Sequence, residues 1–130
     1  MLQVLDGPVI AAGETLSGSI DCSAGQLVRI TMPAGWTRAP LSFQISSDGG
    51  GFNDLYGFGS LEVTVNSVTP GSAVIVPSDI GRAVGWLKIR SGTSNEPVPQ
   101  EEARLFAVAI EVQPDGSSGR GAASQRSRAK

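Results

Sequence analysis

Histidine is absent from the 130-residue sequence, and cysteine occurs once, at Cys22. Without histidine the chain lacks the usual general base and the usual imidazole metal ligand. A single thiol can form neither an intrachain disulfide nor a cysteine-cluster zinc site. Serine is abundant, but no histidine can activate it as a nucleophile. We therefore expect no catalytic residues, no metal site and no cofactor, and we expect Cys22 to be a small core or turn residue.

Charged residues are also scarce, at 17% of the chain against roughly 25% in typical soluble domains. Residues 1–113 carry six basic and eleven acidic side chains, for a charge of −5, whereas residues 114–130 carry four basic and one acidic, for +3. An acidic body is a poor partner for a phosphate backbone, so we expect no nucleic acid to bind the main domain.

Long apolar runs are missing as well. No stretch of about 18 apolar residues could span a membrane, and the N-terminal segment has neither the basic nor the apolar region of a secretory signal. We therefore expect no membrane association and synthesis in a reducing cytoplasm.

Glycine and proline, in contrast, are frequent, with 17 and 8 residues, which excludes a fold of long helices. Apolar residues alternate with polar ones, as in Leu41, Phe43 and Ile45, and turn-forming residues separate the alternating segments. This pattern predicts an all-β, antiparallel β-sandwich of the jelly-roll or immunoglobulin-like type with about eight strands. The predicted strands are 8–12, 14–22, 26–33, 41–47, 60–66, 73–77, 85–91 and 103–112, with a helical turn over 100–103 as an alternative start of the last.

Three segments follow from this pattern: an N-terminal arm over 1–7, a sandwich domain over 8–113 and a basic tail over 114–130. The tail is rich in glycine, serine and arginine and has little apolar surface to bury, so order in it would require a partner. Its basic residues are candidate assembly contacts: Arg120, Arg126, Arg128 and Lys130.

The segment Ser46-Ser47-Asp48-Gly49-Gly50 predicts a tight hairpin. Asp48 can accept hydrogen bonds from the N–H groups of the turn, and the two glycines permit positive φ. The segment resembles the strand-ending hairpin of discoidin-like carbohydrate-binding sandwiches and the Asp-box turn, which implies a structural turn. Asp48, Asn53 and Asp54 could also suggest calcium, but their spacing is irregular, which favours a polar hairpin tip.

Three aromatic residues are candidate contacts for a partner or a glycan: Trp36, Tyr56 and Trp86. An exposed tryptophan can stack on a sugar ring or anchor an interface. The alternative is that Trp36 and Trp86 cover one end of a small core.

Three runs of sequence resemble a family of small virion-associated β-sandwich proteins encoded by tailed bacteriophages and prophages. The runs are Trp36 to Gly50, Asn53 to Tyr56, and Gly85 to Thr93 with Pro97 to Gln100. The resemblance implies location in a virion after synthesis in the host cytoplasm.

We therefore predict a non-enzymatic phage structural protein, either a capsid decoration (cement) protein or the base of a head or tail appendage. Its partners would be capsid or tail proteins, with a homo-oligomer or many copies on a lattice. The alternative is a carbohydrate-binding module that attaches to host glycans.

Overall fold

The computed structural model describes residues 1–66 and 68–113, so the predictions for tail residues Arg120, Arg126, Arg128 and Lys130 lie outside the described residues. The described chain is almost entirely β-structure, with one short helix. Its elements are β1 (Leu2–Ile10), β2 (Ile20–Asp21), β3 (Gln26–Thr31), β4 (Leu41–Ser46), β5 (Asn53–Asp54), β6 (Ala73–Ile75), α1 (Ser78–Gly81), β7 (Trp86–Ser91) and β8 (Arg104–Glu111).

The strands form two four-stranded antiparallel sheets within this part of the chain. Sheet A has the order β1-β8-β3-β6, and sheet B has the order β2-β7-β4-β5. The prediction of an all-β antiparallel sandwich with about eight strands is confirmed. The short strands β5 and β6 end the two sheets on the same side of the sandwich, where residues of both edges line one cavity.

The core lies between the sheets because alternate residues of each strand point inward. In sheet B, Phe43 pairs with Ile89, and both are at most 5% exposed. In sheet A, Val108 pairs with Ile30 and is equally buried. Cys22 lies in this core at 1% exposure, and burial raises the pKa of its thiol to about 11, so the thiol is protonated at neutral pH.

Residues 2–7 do not form the separate arm that was expected over 1–7. They are the first part of β1, and their pairing with β8 runs from Leu2 opposite Glu111 to Asp6 opposite Ala107. A register shift follows at the Gly7–Pro8 pair, after which Val9 lies opposite Leu105. Glycine and proline usually interrupt a strand, but an edge strand accommodates them in a bulge. The sandwich domain therefore begins at Leu2.

Two of the expected strands are shorter than the alternation suggested. Of the expected strand over 14–22, only Ile20–Asp21 forms β2. The expected strand over 60–66 makes isolated bridges, with Glu62 opposite Tyr56 and Val65 opposite Leu41. Together with the unexpected β5, this segment forms a hairpin at the edge of sheet B, which we call the edge hairpin (residues 53–65).

Candidate functional site

The Ser46–Gly51 turn is held by bonds within its own sequence. Ser46 Oγ accepts hydrogen bonds from the N–H groups of Asp48 and Gly49, at 3.2 and 2.9 Å. Asp48 Oδ1 in turn accepts from the N–H of Gly50 at 2.9 Å and from Ser46 Oγ at 3.0 Å. These bonds, chiefly the one from Gly50, lower the pKa of the Asp48 carboxyl. The turn residues Asp48, Gly49 and Gly50 are thus engaged with their own backbone.

Gly49 is also the point where this turn approaches Trp86. Its φ is +81°, and a Cβ at this position would lie 2.9 Å from Cε2 of the Trp86 indole. The half-buried Trp86 ring therefore packs against the turn, and any side chain at residue 49 would have to displace it.

Replacement of Gly49 by alanine should lower the free energy of unfolding by more than the same replacement at Gly71. Both residues have positive φ, for which a non-glycine residue costs about 1–2 kcal/mol, but a Cβ at Gly71 would meet no atom within 4 Å. Urea denaturation with tryptophan fluorescence measures both losses and reports displacement of Trp86. Equal losses for the two variants would contradict tight packing of the indole against the turn.

A buried ionic cluster lies on sheet B beneath the edge hairpin. Arg90 is 7% exposed; its Nη2 donates to Asp54, and its Nη1 lies 3.2 Å from Oε2 of Glu62 and 3.2 Å from Oγ of Ser42. Gln44 Nε2 also donates to Asp54, at 3.1 Å. The bond from Arg90 is the main cause of the lowered pKa of the Asp54 carboxyl. The guanidinium thus joins β7, β5 and the return strand of the edge hairpin.

A second buried polar network is centred on Gln100 and reaches Ser91, the residue that follows Arg90 on β7. Gln100 is fully buried, and its Oε1 accepts hydrogen bonds from the N–H of Thr37 and from Nε of Arg104, both at 2.9 Å. Its Nε2 donates to the carbonyl of Thr37 at 3.0 Å and to Oγ of Ser91 at 2.8 Å. Sequence reasoning missed both networks, because arginine and glutamine in a β-protein usually lie on the surface.

The three candidate aromatic contacts lie in different environments. Trp36 is 5% exposed; its Nε1 donates to the carbonyl of Ala39 at 3.0 Å, and its ring meets Phe106 edge-on with centroids 5.6 Å apart. Trp86 packs against the hairpin turn. Tyr56 alone is largely exposed, at 48%, with its hydroxyl 3.4 Å from Oγ of Ser94. The described residues therefore bring no two of these aromatics onto a shared sugar-stacking surface.

Four aliphatic side chains are exposed on the outward side of sheet A. Leu2, Val4, Val9 and Leu105 are 49, 55, 46 and 57% exposed. They share one side of the sheet, because Val4 lies opposite Ala109 and Val9 lies opposite Leu105 on β8. We call these four residues the sheet A outer face. Leu2 and Val4 fall in the expected arm over 1–7, and nothing local in the sequence indicates that they lie on the same side of a sheet as Leu105, about 100 residues later.

Within residues 1–66 and 68–113, no three carboxylate or thiol side chains are close enough together to hold a metal ion. No helix of this part of the chain has the length and apolar character of a membrane span. The molecule is thus a small antiparallel β-sandwich whose buried polar clusters join its loops and whose sheet A outer face is apolar. No protein-family model, curated protein or solved structure matches the chain.

Proposed function

We propose that this chain is a non-enzymatic structural protein of a phage particle, a decoration protein or appendage base that binds a capsid or tail protein through the sheet A outer face. Location in a phage particle is supported by the resemblance of three sequence runs, the first of which spans residues 36–50, to virion-associated β-sandwich proteins. The observation that carries the proposal is the apolar character of the sheet A outer face.

An apolar sheet face of this kind favours a protein partner. Burying the exposed half of an aliphatic side chain contributes on the order of 1 kcal/mol, so four of them supply useful affinity. Asp6, Glu111 and Arg29 lie on the same side of sheet A, and Glu111 pairs with the N-terminal amine, so the partner would meet charges of both signs beside the apolar residues. Many copies on a particle would then gain avidity from individually weak contacts.

The polar networks fit the same proposal. The carboxylates of Asp54 and Glu62 and the amide of Gln100 are each engaged with neighbouring side chains or backbone, so they hold loops in place. A rigid body of this kind binds a partner without losing much conformational freedom.

The test is co-sedimentation of the tagged chain with particles of the phage that encodes it. Leu105→Lys should reduce the copies bound per particle by about tenfold or more, because it places a charge opposite Val9 within an apolar contact. Ala12→Lys, at an exposed loop position, is the matched control and should bind normally. Thermal unfolding of both variants checks that they fold.

Two results would overturn the proposal. Purified particles could lack the wild-type chain altogether, or folded Leu105→Lys could occupy them as fully as wild type. Binding of a host glycan that is lost in Tyr56→Ala, with no particle binding, would instead support the carbohydrate-binding alternative.

A further inference from the structure

An apolar cavity of about 130 Å³ lies between the two sheets, at the edge where β6 faces the edge hairpin. It is partly open to solvent, and its walls include Leu27, Phe43, Leu55, Val63 and Val74. Thr64 is the one polar residue among those that line it. An enclosed apolar cavity of about 150 Å³ accepts a benzene molecule. The cavity is therefore large enough for a phenyl group and offers almost nothing to a polar ligand.

A fully exposed phenylalanine stands on the same edge. Phe58 has a relative exposure of 108% and lies at the tip of the edge hairpin, between Gly57 and Gly59. The tip is fixed by hydrogen bonds from the N–H of Gly57 to the carbonyl of Leu61 at 2.8 Å and from the N–H of Ser60 to the carbonyl of Gly57 at 3.0 Å. The phenyl ring is thus presented on a defined turn.

The cavity and the phenyl group are built by one supersecondary unit. The two strands of the edge hairpin, joined by the hydrogen bond from the N–H of Val63 to the carbonyl of Leu55, line the cavity, and their turn carries Phe58. Because the ring and the cavity lie on one edge, two copies related by a two-fold axis can each place their ring in the cavity of the other.

We propose that two copies of this chain associate by reciprocal insertion of Phe58 into the inter-sheet cavity of the other copy. The ring and the cavity match in size and in apolar character. Leu61, at 77% exposure, borders the turn and provides further apolar contact. This association uses a different surface from the one in the proposed function and needs no phage particle.

The area involved indicates a weak pair. A buried phenylalanine contributes on the order of 150–250 Å², so two of them fall well short of the roughly 1,200 Å² of stable complexes. We therefore expect a reversible dimer that becomes populated between about 10 μM and 1 mM.

Sedimentation equilibrium of the full chain across that range tests the proposal. Phe58→Ser removes the inserted ring, and Val74→Phe fills the cavity, so each should weaken self-association by about tenfold or more. A mixture of the two should associate more tightly than either variant alone but more weakly than wild type, because the mixed dimer keeps one of the two insertions. Ala12→Ser changes an exposed loop residue that belongs to neither proposed surface and should leave self-association unchanged.

Benzene provides a second test that does not depend on folding of the Val74 variant. Saturating benzene should occupy the cavity and dissociate the wild-type dimer. A wild-type chain that stays monomeric at about 1 mM overturns the proposal, as does a dimer that survives in Phe58→Ser. Benzene binding to a chain that never dimerises would also overturn it and would identify a site for small apolar molecules instead.

Discussion

Replacement of Arg90 by methionine should lower the free energy of unfolding by about 3 kcal/mol or more, as expected when one partner of a buried ion pair is removed. The side chain of Arg90 is 9% exposed, that of Glu62 is 12% exposed and that of Asp54 is 33% exposed. Without the guanidinium, two carboxylates would face each other beneath the edge hairpin with no cation between them. Chemical denaturation monitored by circular dichroism gives the loss directly.

Lys88 provides the matched control for this experiment. It lies two residues earlier on the same strand and the same side of sheet B, with its Nζ 4.6 Å from the centre of the Phe52 ring. Lys88→Met removes the same charge but only a contact worth about 1 kcal/mol or less. Similar losses for the two variants would show that the cluster contributes little. Replacing Asp54 and Glu62 by apolar residues in the Arg90→Met background should restore most of the stability.

The ionic cluster also predicts a difference in acid stability. The pKa of Asp54 is lowered in the folded state, so its contribution to stability is present above the unfolded pKa, about 3.9. That contribution is lost as the pH falls through the folded-state pKa. The wild type should therefore lose stability below about pH 4 more steeply than Arg90→Met. Asp21 and Asp48 also have lowered pKa values but lie outside the cluster, so they affect both proteins alike.

Replacement of Gln100 by leucine should be comparably destabilising, with a loss of about 3 kcal/mol. The amide satisfies four polar groups: the N–H and carbonyl of Thr37, Oγ of Ser91 and Nε of Arg104. Leucine is of similar size and would leave these groups without their partner, the groups of Ser91 and Arg104 being buried and those of Thr37 half-buried. Each orphaned buried group costs about 1–3 kcal/mol.

Two further variants distinguish the loss of the hydrogen bonds of Gln100 from the effect of the glutamine-to-leucine replacement itself. Gln3→Leu, at an exposed position of β1, should change stability by less than about 0.5 kcal/mol. Gln100→Glu keeps the acceptor for Thr37 and Arg104 but loses both donated bonds, so it should fall between wild type and Gln100→Leu. If Gln100→Leu leaves the free energy of unfolding unchanged, the network adds little to stability.

The sheets could be anticipated because their signal is local and repeated. Leu41, Phe43 and Ile45 alternate with polar residues, and that alternation alone assigns one side of β4 to the core. The Ser46–Gly51 turn is similarly local, since its hydrogen bonds join residues at most three positions apart. Features of this kind depend on a few neighbouring residues and can be predicted without knowledge of the fold.

The other features depend on distant parts of the chain. Trp36 is buried because Phe106 lies against it, and Arg90 is buried because the edge hairpin covers it. The alternation correctly places Arg90 on the outward side of β7 but contains no information about what covers that side. The prediction of an arm over 1–7 was wrong for the same reason, because the strand that pairs with residues 2–6 lies more than 100 positions later in the chain.

The position of β8 has a consequence for synthesis of the protein. It is an inner strand of sheet A, with β1 on one side and β3 on the other, yet it is the last strand of the described chain. During translation, β1 and β3 emerge from the ribosome without the strand that joins them, and their apolar residues stay uncovered until Glu111 is released. The nascent polypeptide should therefore fold only after synthesis of residues 104–111, and truncation before them should yield aggregating product.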